Sequence, residues 1–292
     1  MLAKRGDRVL VQGITGREGT YWTEKMLQYG TRIVAGVTPG KGGQSVHGVP
    51  VFDTVEAAML QRPAEVSVLF VPPMYAMAGA CEATEAGIKN VVVLADGVPV
   101  HDTMVMLARA SQYGARILGP NGPGMIVPGE TMVGILPCWL EDVFRPGSVG
   151  VVSRSGSLGT AICHQVIRAG LGQSVVLGIG GDPIVGTTTR EALEFFAQDG
   201  RTRAVVIVGE LGGTMEEDAA PVVAEMGKPV VAFIAGGMAP EGKRMGHAGA
   251  IVEGDRGTVR SKTRLLAEAG AHIARTPNEV AELLSKAMKT NR

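Results

Sequence analysis

Short β-branched runs alternate with segments of helical period along the whole chain, which is the pattern of a parallel sheet covered by helices on both faces. In the first half the spacing predicts strands over residues 8–14, 32–38, 66–71, 90–95 and 116–118, joined by segments long enough for βαβ units. Right-handed, doubly wound topology follows from such units. The stretch 119–148, GPNGPGMIVPGETMVGILPCWLEDVFRPGS, breaks the rhythm with glycine and proline. It reads as a crossing between two bodies. Strands then resume over 149–153, 174–179, 204–209, 230–235 and 272–274, and a helix over 278–289 ends the chain. The expected organisation is a first domain over 1–124, a linker over 125–148 and a second domain over 149–292.

A length of 292 residues, 45% of them hydrophobic, suits two domains that each bury a core. Lys plus Arg and Asp plus Glu both number 28, so the zero net charge gives no broad footprint for nucleic acid. The basic tail residues Lys286, Lys289 and Arg292 read as a solvated helix end. Cys81, Cys138 and Cys163 are odd in number and far apart, which fits small buried hydrophobes in a reducing compartment and neither disulfides nor a metal site. The N-terminus lacks an apolar signal core and no apolar run is long enough to span a bilayer, so the expectation is a cytoplasmic protein, or a matrix protein after removal of a leader, without a membrane partner.

The 42 glycines are roughly twice average usage. They cluster between elements, where backbone would approach ligand closely. The segment VLVQGITGREGTYW, residues 9–22, reads strand, glycine turn, helix, and such a turn offers backbone N–H groups and a helix dipole to a phosphate. Its GxxGxxG spacing is not the dinucleotide pattern, and a tight βα turn with close helix packing is an alternative account. The second strand ends in RIVAGVTPGKGG, with Lys41 where a nicotinamide site carries a ribose-binding acid. A cation there suits a ligand with several phosphates and no free ribose diol, such as coenzyme A, whereas the plainer account of Lys41 is a solvated loop lysine. No Walker A spacing is present.

The second half repeats the device. VGVVSRSGSLGTAICHQ, residues 149–165, and VLGIGGDPIVGTTT, residues 176–189, each run from strand through a Gly/Ser turn into a helix, which makes a cradle for a small anion. Ser155 is not read as a nucleophile, because Ser153 and Ser157 stand where the flanking glycines of GxSxG belong.

Four of five histidines have structural explanations: His101 at a helix start, His164 within a helix, His272 opening a strand and His47 in a loop. His247, in GKRMGHAGAIV, is flanked by residues too small to wall it in. It is either a solvated loop histidine or a reactive one. Glu210, in AVVIVGELGG, falls at the carboxyl end of an apolar strand, where open α/β sheets bind ligands. A carboxylate there can hold one imidazole N–H and leave the other nitrogen nucleophilic. The alternative for Glu210 is a pair with Lys243 or Arg244.

The segments GVTPGKGG, GIGGDPI, GELGG and GKRMGHAGAIV, in this order, resemble the alpha subunit of the succinyl-CoA synthetase and malate-CoA ligase family, the nucleoside-diphosphate-forming acyl-CoA ligases. The resemblance implies a Rossmann-like domain that binds coenzyme A, followed by a flavodoxin-like ligase domain. It implies that His247 is the phosphorylated histidine and Glu210 its orienting partner. Thr15, Gly16, Arg17, Glu18, Lys41, Leu94, Ala95 and Asp96 then match the coenzyme A contacts. Ser155, Gly156 and Ser157 match the phosphate-holding helix start, and Thr160 stands near the acyl substrate. It further implies a separate ATP-grasp beta subunit carrying ATP or GTP with magnesium, in a heterodimer or heterotetramer. The acid would be small, such as succinate or malate. Departures from the family are Thr160 for the usual tyrosine, Gly122 for cysteine, Asp96 for glutamate and a longer segment PCWLEDVFRPG, which leave the acid open. A non-catalytic coenzyme A-binding or sensing protein is the competing expectation, and the inverted charge at Lys41 argues against a nicotinamide dehydrogenase.

Overall fold

The computed structural model describes residues 3–237, 249 and 256–290. The chain divides into two compact units, one of Met1–Cys138 with Ile184–Gly186 and one of Trp139–Pro183 with Thr187–Arg292.

In the first unit, β1 (Arg8–Gln12), β2 (Arg32–Val37), β4 (Val49–Phe52), β5 (Val66–Leu69), β6 (Asn90–Val93) and β7 (Arg116–Leu118) form a parallel sheet, to which the short β3 (Ser45–Val46) adds one antiparallel edge. Its order is β3-β4-β2-β1-β5-β6-β7. Helices α1 (Arg17–Gln28), α2 (Val55–Gln61), α3 (Pro73–Glu85) and α4 (Val100–Gln112) make the crossovers. The strands are Val-rich and buried, as a sheet covered on both faces requires. One core joins Leu10, Val37, Leu69, Val91, Met106 and Ile117 beneath the helices.

The second unit holds a parallel run in the order β14 (His272–Ala274), β13 (Val230–Ala235), β12 (Ala204–Glu210), β10 (Pro146–Ser153) and β11 (Gln173–Gly178). Its helices are α5 (Gly156–Arg168), α6 (Thr189–Gln198), the short α7 (Met215–Asp218) and α8 (Ala220–Glu225), then α9 (Val259–Glu268) and α10 (Glu279–Thr290). A full capping box of Thr188 and Glu191 starts α6, and Thr258 caps α9.

All ten strands expected from periodicity are present, with ends shifted by a few residues, and the terminal helix lies where its pattern placed it. The stretch read as a linker contains an antiparallel hairpin, β8 (Gly124–Val127) and β9 (Thr131–Gly134). The glycines there serve close strand approach: a Cβ at Gly124 would lie 2.1 Å from Val133 O, and one at Gly134 would lie 2.2 Å from Pro123 O. The hairpin groups with the first unit, whose main segment ends at Cys138. Its strand pairing, and not chain flexibility, accounts for that part of the Gly/Pro content.

Candidate functional site

In the first sheet β1 has β2 on one side and β5 on the other, so the turn after β1 opens at the point where the winding reverses. Gly13 has φ +74°, and a Cβ on it would lie 2.2 Å from Phe70 O. A Cβ on Gly19 would lie 2.2 Å from Gly13 O, so the turn and α1 close tightly only because both positions lack a side chain. The tight packing expected of a close βα turn is present. Gly16 is the N-cap of α1 and supplies no side-chain acceptor, leaving first-turn N–H groups for an incoming anion.

The candidates read from the sequence in this unit sit on the turns that follow β1, β2 and β6. Thr15 Oγ1 donates to Thr38 Oγ1 at 3.1 Å, tying the first turn to the end of β2. Arg17 and Glu18 are exposed and paired with each other at 3.2 Å. Lys41 is exposed in a turn fixed by its own N–H to Thr38 O at 3.1 Å and by Gly42 N–H to Asp53 Oδ1 at 2.9 Å. Leu94, Ala95 and Asp96 follow β6, and Ala95 O accepts the N–H of Asn121 at 2.9 Å.

The second sheet repeats this geometry, with β10 between β11 and β12 and the Ser155 turn at the reversal. Ser155 caps α5 by accepting from Leu158 N–H at 3.4 Å, and its Oγ lies 3.4 Å from Ser157 Oγ. Thr160 Oγ1 donates to Gly156 O at 2.9 Å, so this hydroxyl is turned onto its own helix. Glu210 is the last residue of β12 and is buried, with 8% of its surface exposed. His247 lies outside the described residues, as do Lys243 and Arg244. Gly249 is described: its N–H donates to Gly181 O at 3.1 Å, and a Cβ on it would lie 2.9 Å from Arg154 Nη2.

A buried ionic cluster underlies this edge, and sequence reasoning missed three of its members. Arg154 Nη2 lies 3.3 Å from Glu210 Oε1, while Nη1 donates to Gly212 O at 2.8 Å and reaches Glu216 Oε1 at 3.4 Å. Glu216 Oε1 also accepts the N–H of Glu210 at 3.2 Å. Lys262 Nζ donates to Glu216 Oε2 and, at 2.7 Å each, to the carbonyl oxygens of Glu210 and Gly212. Burial pushes the Lys262 pKa below its ordinary value, and the adjacent Glu216 carboxylate opposes that shift without cancelling it. Two cations face two carboxylates, the compensation that buried charges need. The signal was available in α9, where Lys262 occupies the inward face with Leu266 and follows Val259 by three positions.

Nearby, the Glu217 carboxylate accepts Gly257 N–H at 2.9 Å, and Gly257 O accepts Gly212 N–H at 2.9 Å. Among the described residues there is no group of three or more His, Cys, Asp or Glu side chains that could hold a metal ion, and no helix long and apolar enough to cross a membrane.

Comparison with known proteins matches residues 5–97 to the CoA binding domain family and residues 152–272 to the CoA-ligase family. Succinate--CoA ligase [ADP-forming] subunit alpha 2 of Archaeoglobus fulgidus is 53% identical over 279 residues, covering 96% of this chain and 96% of the relative. The ADP-forming sulfoacetate-CoA ligase subunit SauD of Bilophila wadsworthia is 46% identical over 282 residues, with 96% of each covered. Among solved structures, ATP citrate lyase from Methanothrix soehngenii in complex with citrate and coenzyme A aligns with a TM-score of 0.92 at 25% identity over 99% of this chain. This chain spans about half, 51%, of that longer one.

A nucleotide-type fold matched to coenzyme A binding, followed by a CoA-ligase domain, defines a subunit of an acid–thiol ligase. The chain belongs to the succinyl-CoA synthetase alpha-subunit family. The relatives' naming as alpha subunits implies a beta subunit as partner. Their ligase identity leaves the non-catalytic binding protein without support.

Proposed function

We propose that this chain is the alpha subunit of a reversible ligase that converts a small carboxylate, coenzyme A and a nucleoside triphosphate into acyl-CoA, nucleoside diphosphate and phosphate through phospho-His247. A neutral imidazole nitrogen of His247 attacks the γ-phosphorus; the N–P bond forms as the bond to the β-phosphate oxygen breaks, and the diphosphate leaves. A carboxylate oxygen of the acid then attacks that phosphorus, its O–P bond forming as the N–P bond breaks, which gives an acyl phosphate and returns the neutral imidazole of His247. The coenzyme A sulfur displaces phosphate from its acyl carbon, losing the thiol proton to solvent. Glu210 holds one imidazole N–H and so fixes the tautomer that attacks. The N-terminus of α5, with Ser155, Gly156 and Ser157, stabilises the transferred group through its dipole and N–H groups. Thr160 stands in the α5 segment nearest the acid in this scheme, with its hydroxyl held by Gly156 O.

In the first unit, Thr15, Gly16, Arg17 and Glu18, with Lys41 and the segment Leu94, Ala95 and Asp96, bind coenzyme A. The uncapped start of α1 and the cationic turn at Lys41 fit its phosphates. We assign this unit as the coenzyme A domain and the second as the ligase domain, in keeping with the two matched families. Triphosphate, ATP or GTP with magnesium, belongs on an ATP-grasp beta subunit, in a heterodimer or heterotetramer working in the cytoplasm. The acid is succinate or a short dianionic relative such as malate; relatives act on succinate and on sulfoacetate, which share that character.

The observation that most supports the phosphohistidine scheme is the docking of Gly249 on Gly181, against Arg154, which pairs with Glu210. His247 precedes Gly249 by two residues. The decisive variant is His247→Asn, purified with the beta subunit. It is expected to fold, bind coenzyme A and take no label from γ-labelled ATP or GTP; undiminished labelling removes the scheme.

A further inference from the structure

Arg154 has 1% of its surface exposed, and its guanidinium serves two sides. Toward β12 it meets Gly212 O, Glu216 Oε1 and Glu210 Oε1, all from the segment that carries the orienting carboxylate. On the other side Nη2 abuts Gly249, the one described residue of the glycine-histidine stretch. Among the described residues neither Nε nor Nη2 has a hydrogen-bond partner that meets normal geometry, so the contact with Glu210 is an ion pair made at the cost of buried donors.

We propose that Arg154 is the positioning residue of the ligase site: its planar fork fixes the carboxylate of Glu210, the residue that orients His247. This rests on the phosphohistidine scheme above. Glu216 and Lys262 hold the fork's anchor points, since Glu216 binds Nη1 and Lys262 binds the same carbonyl of Gly212. Lysine cannot substitute at position 154, because a single ammonium lacks the fork needed to reach three separated acceptors.

The test uses the chain purified with its beta subunit and follows label from γ-labelled ATP and GTP into His247. Arg154→Lys is expected to melt cooperatively and bind coenzyme A as the wild type does, yet label about ten- to a hundredfold more slowly, the range that a misplaced reacting group costs. Because Arg154 acts through Glu210, the double variant with Glu210→Gln should be no slower than Glu210→Gln alone. Multiplying effects, wild-type labelling by Arg154→Lys, or a slow Arg154→Lys beside an unimpaired Glu210→Gln each overturn the proposal. Labelling of His247→Asn instead overturns the phosphohistidine scheme, so the two failures are distinct. If Arg154→Lys does not fold, Glu216→Gln keeps the shape and removes the charge that holds Nη1. The same slowing and the same non-additivity with Glu210→Gln are then expected.

Discussion

Lys262 Nζ donates to the backbone carbonyl oxygen of Glu210 at 2.7 Å, from a side chain with no exposed surface. A helix on one side of the sheet thereby pins the strand end that carries the Glu210 carboxylate. The same ammonium binds Gly212 O and Glu216, so the bend after β12 is held at two carbonyls and one acid.

Lys262→Met removes the ammonium and leaves a buried carboxylate and two carbonyls without it. Breaking a buried pair on one side costs about 3–5 kcal/mol. Lys286, bound to Glu282 at 2.6 Å on the exposed face of α10, is the control, because water screens an exposed pair and leaves it little net stabilisation. Urea midpoints should fall markedly for Lys262→Met and hardly at all for Lys286→Met. Equal midpoints would show that the buried cluster does not stabilise the second unit.

Glu217 gives a pH-dependent contribution next to this bend. Burial works to raise its pKa, but the Gly257 N–H, the Ser261 hydroxyl and the Arg256 guanidinium outweigh that, and the carboxyl lies below its usual 4.5. Arg256 is 72% exposed, so the backbone bond matters more than the ion pair. A carboxyl whose folded pKa is depressed stabilises the fold in full above its unfolded pKa, and the contribution is gone once pH has fallen through the folded value. Wild type should therefore exceed Glu217→Gln in urea midpoint at neutral pH, with the gap closing as pH drops below 4.5. A gap that stays constant across that window would mean the carboxylate is not used as described.

Much of this organisation was readable from residue order, and the exceptions are instructive. Valine-rich runs such as 90–93 read as the buried strands of an α/β sheet, and Glu210 closes its run at a strand end. Ser155 caps α5 in the position its side chain favours. The hairpin at Gly124 and Gly134 was hidden because glycine and proline signal both flexible crossings and close strand contact, and only the partner strand distinguishes them. Arg154, Glu216 and Lys262 were hidden for another reason. Charged residues are ordinarily solvated, and their burial depends on partners drawn from the turn after β10, from α7 and from α9, separated by up to 108 residues in sequence. No local window contains that pairing.

Gly249 is where the cluster meets the glycine-histidine stretch, and its lack of a side chain is a steric requirement. A Cβ would fall 2.9 Å from Arg154 Nη2 and 2.9 Å from the backbone oxygen of Gly181, closer than carbon normally approaches either. Arg154 cannot yield without leaving Glu210 or Gly212, and Gly181 O is fixed backbone that also accepts Gly249 N–H. Gly249→Ala is therefore expected to unseat this residue, slowing labelling of His247 by about tenfold or more while coenzyme A titrates with unchanged affinity. The coenzyme A candidates, Thr15 to Glu18, Lys41 and Leu94 to Asp96, belong to the other unit, which is why affinity is the control. Labelling at the wild-type rate would mean that the contact between Gly249 and Arg154 does not govern phosphoryl transfer. A parallel loss of coenzyme A affinity would mean that the substitution acts on the whole fold.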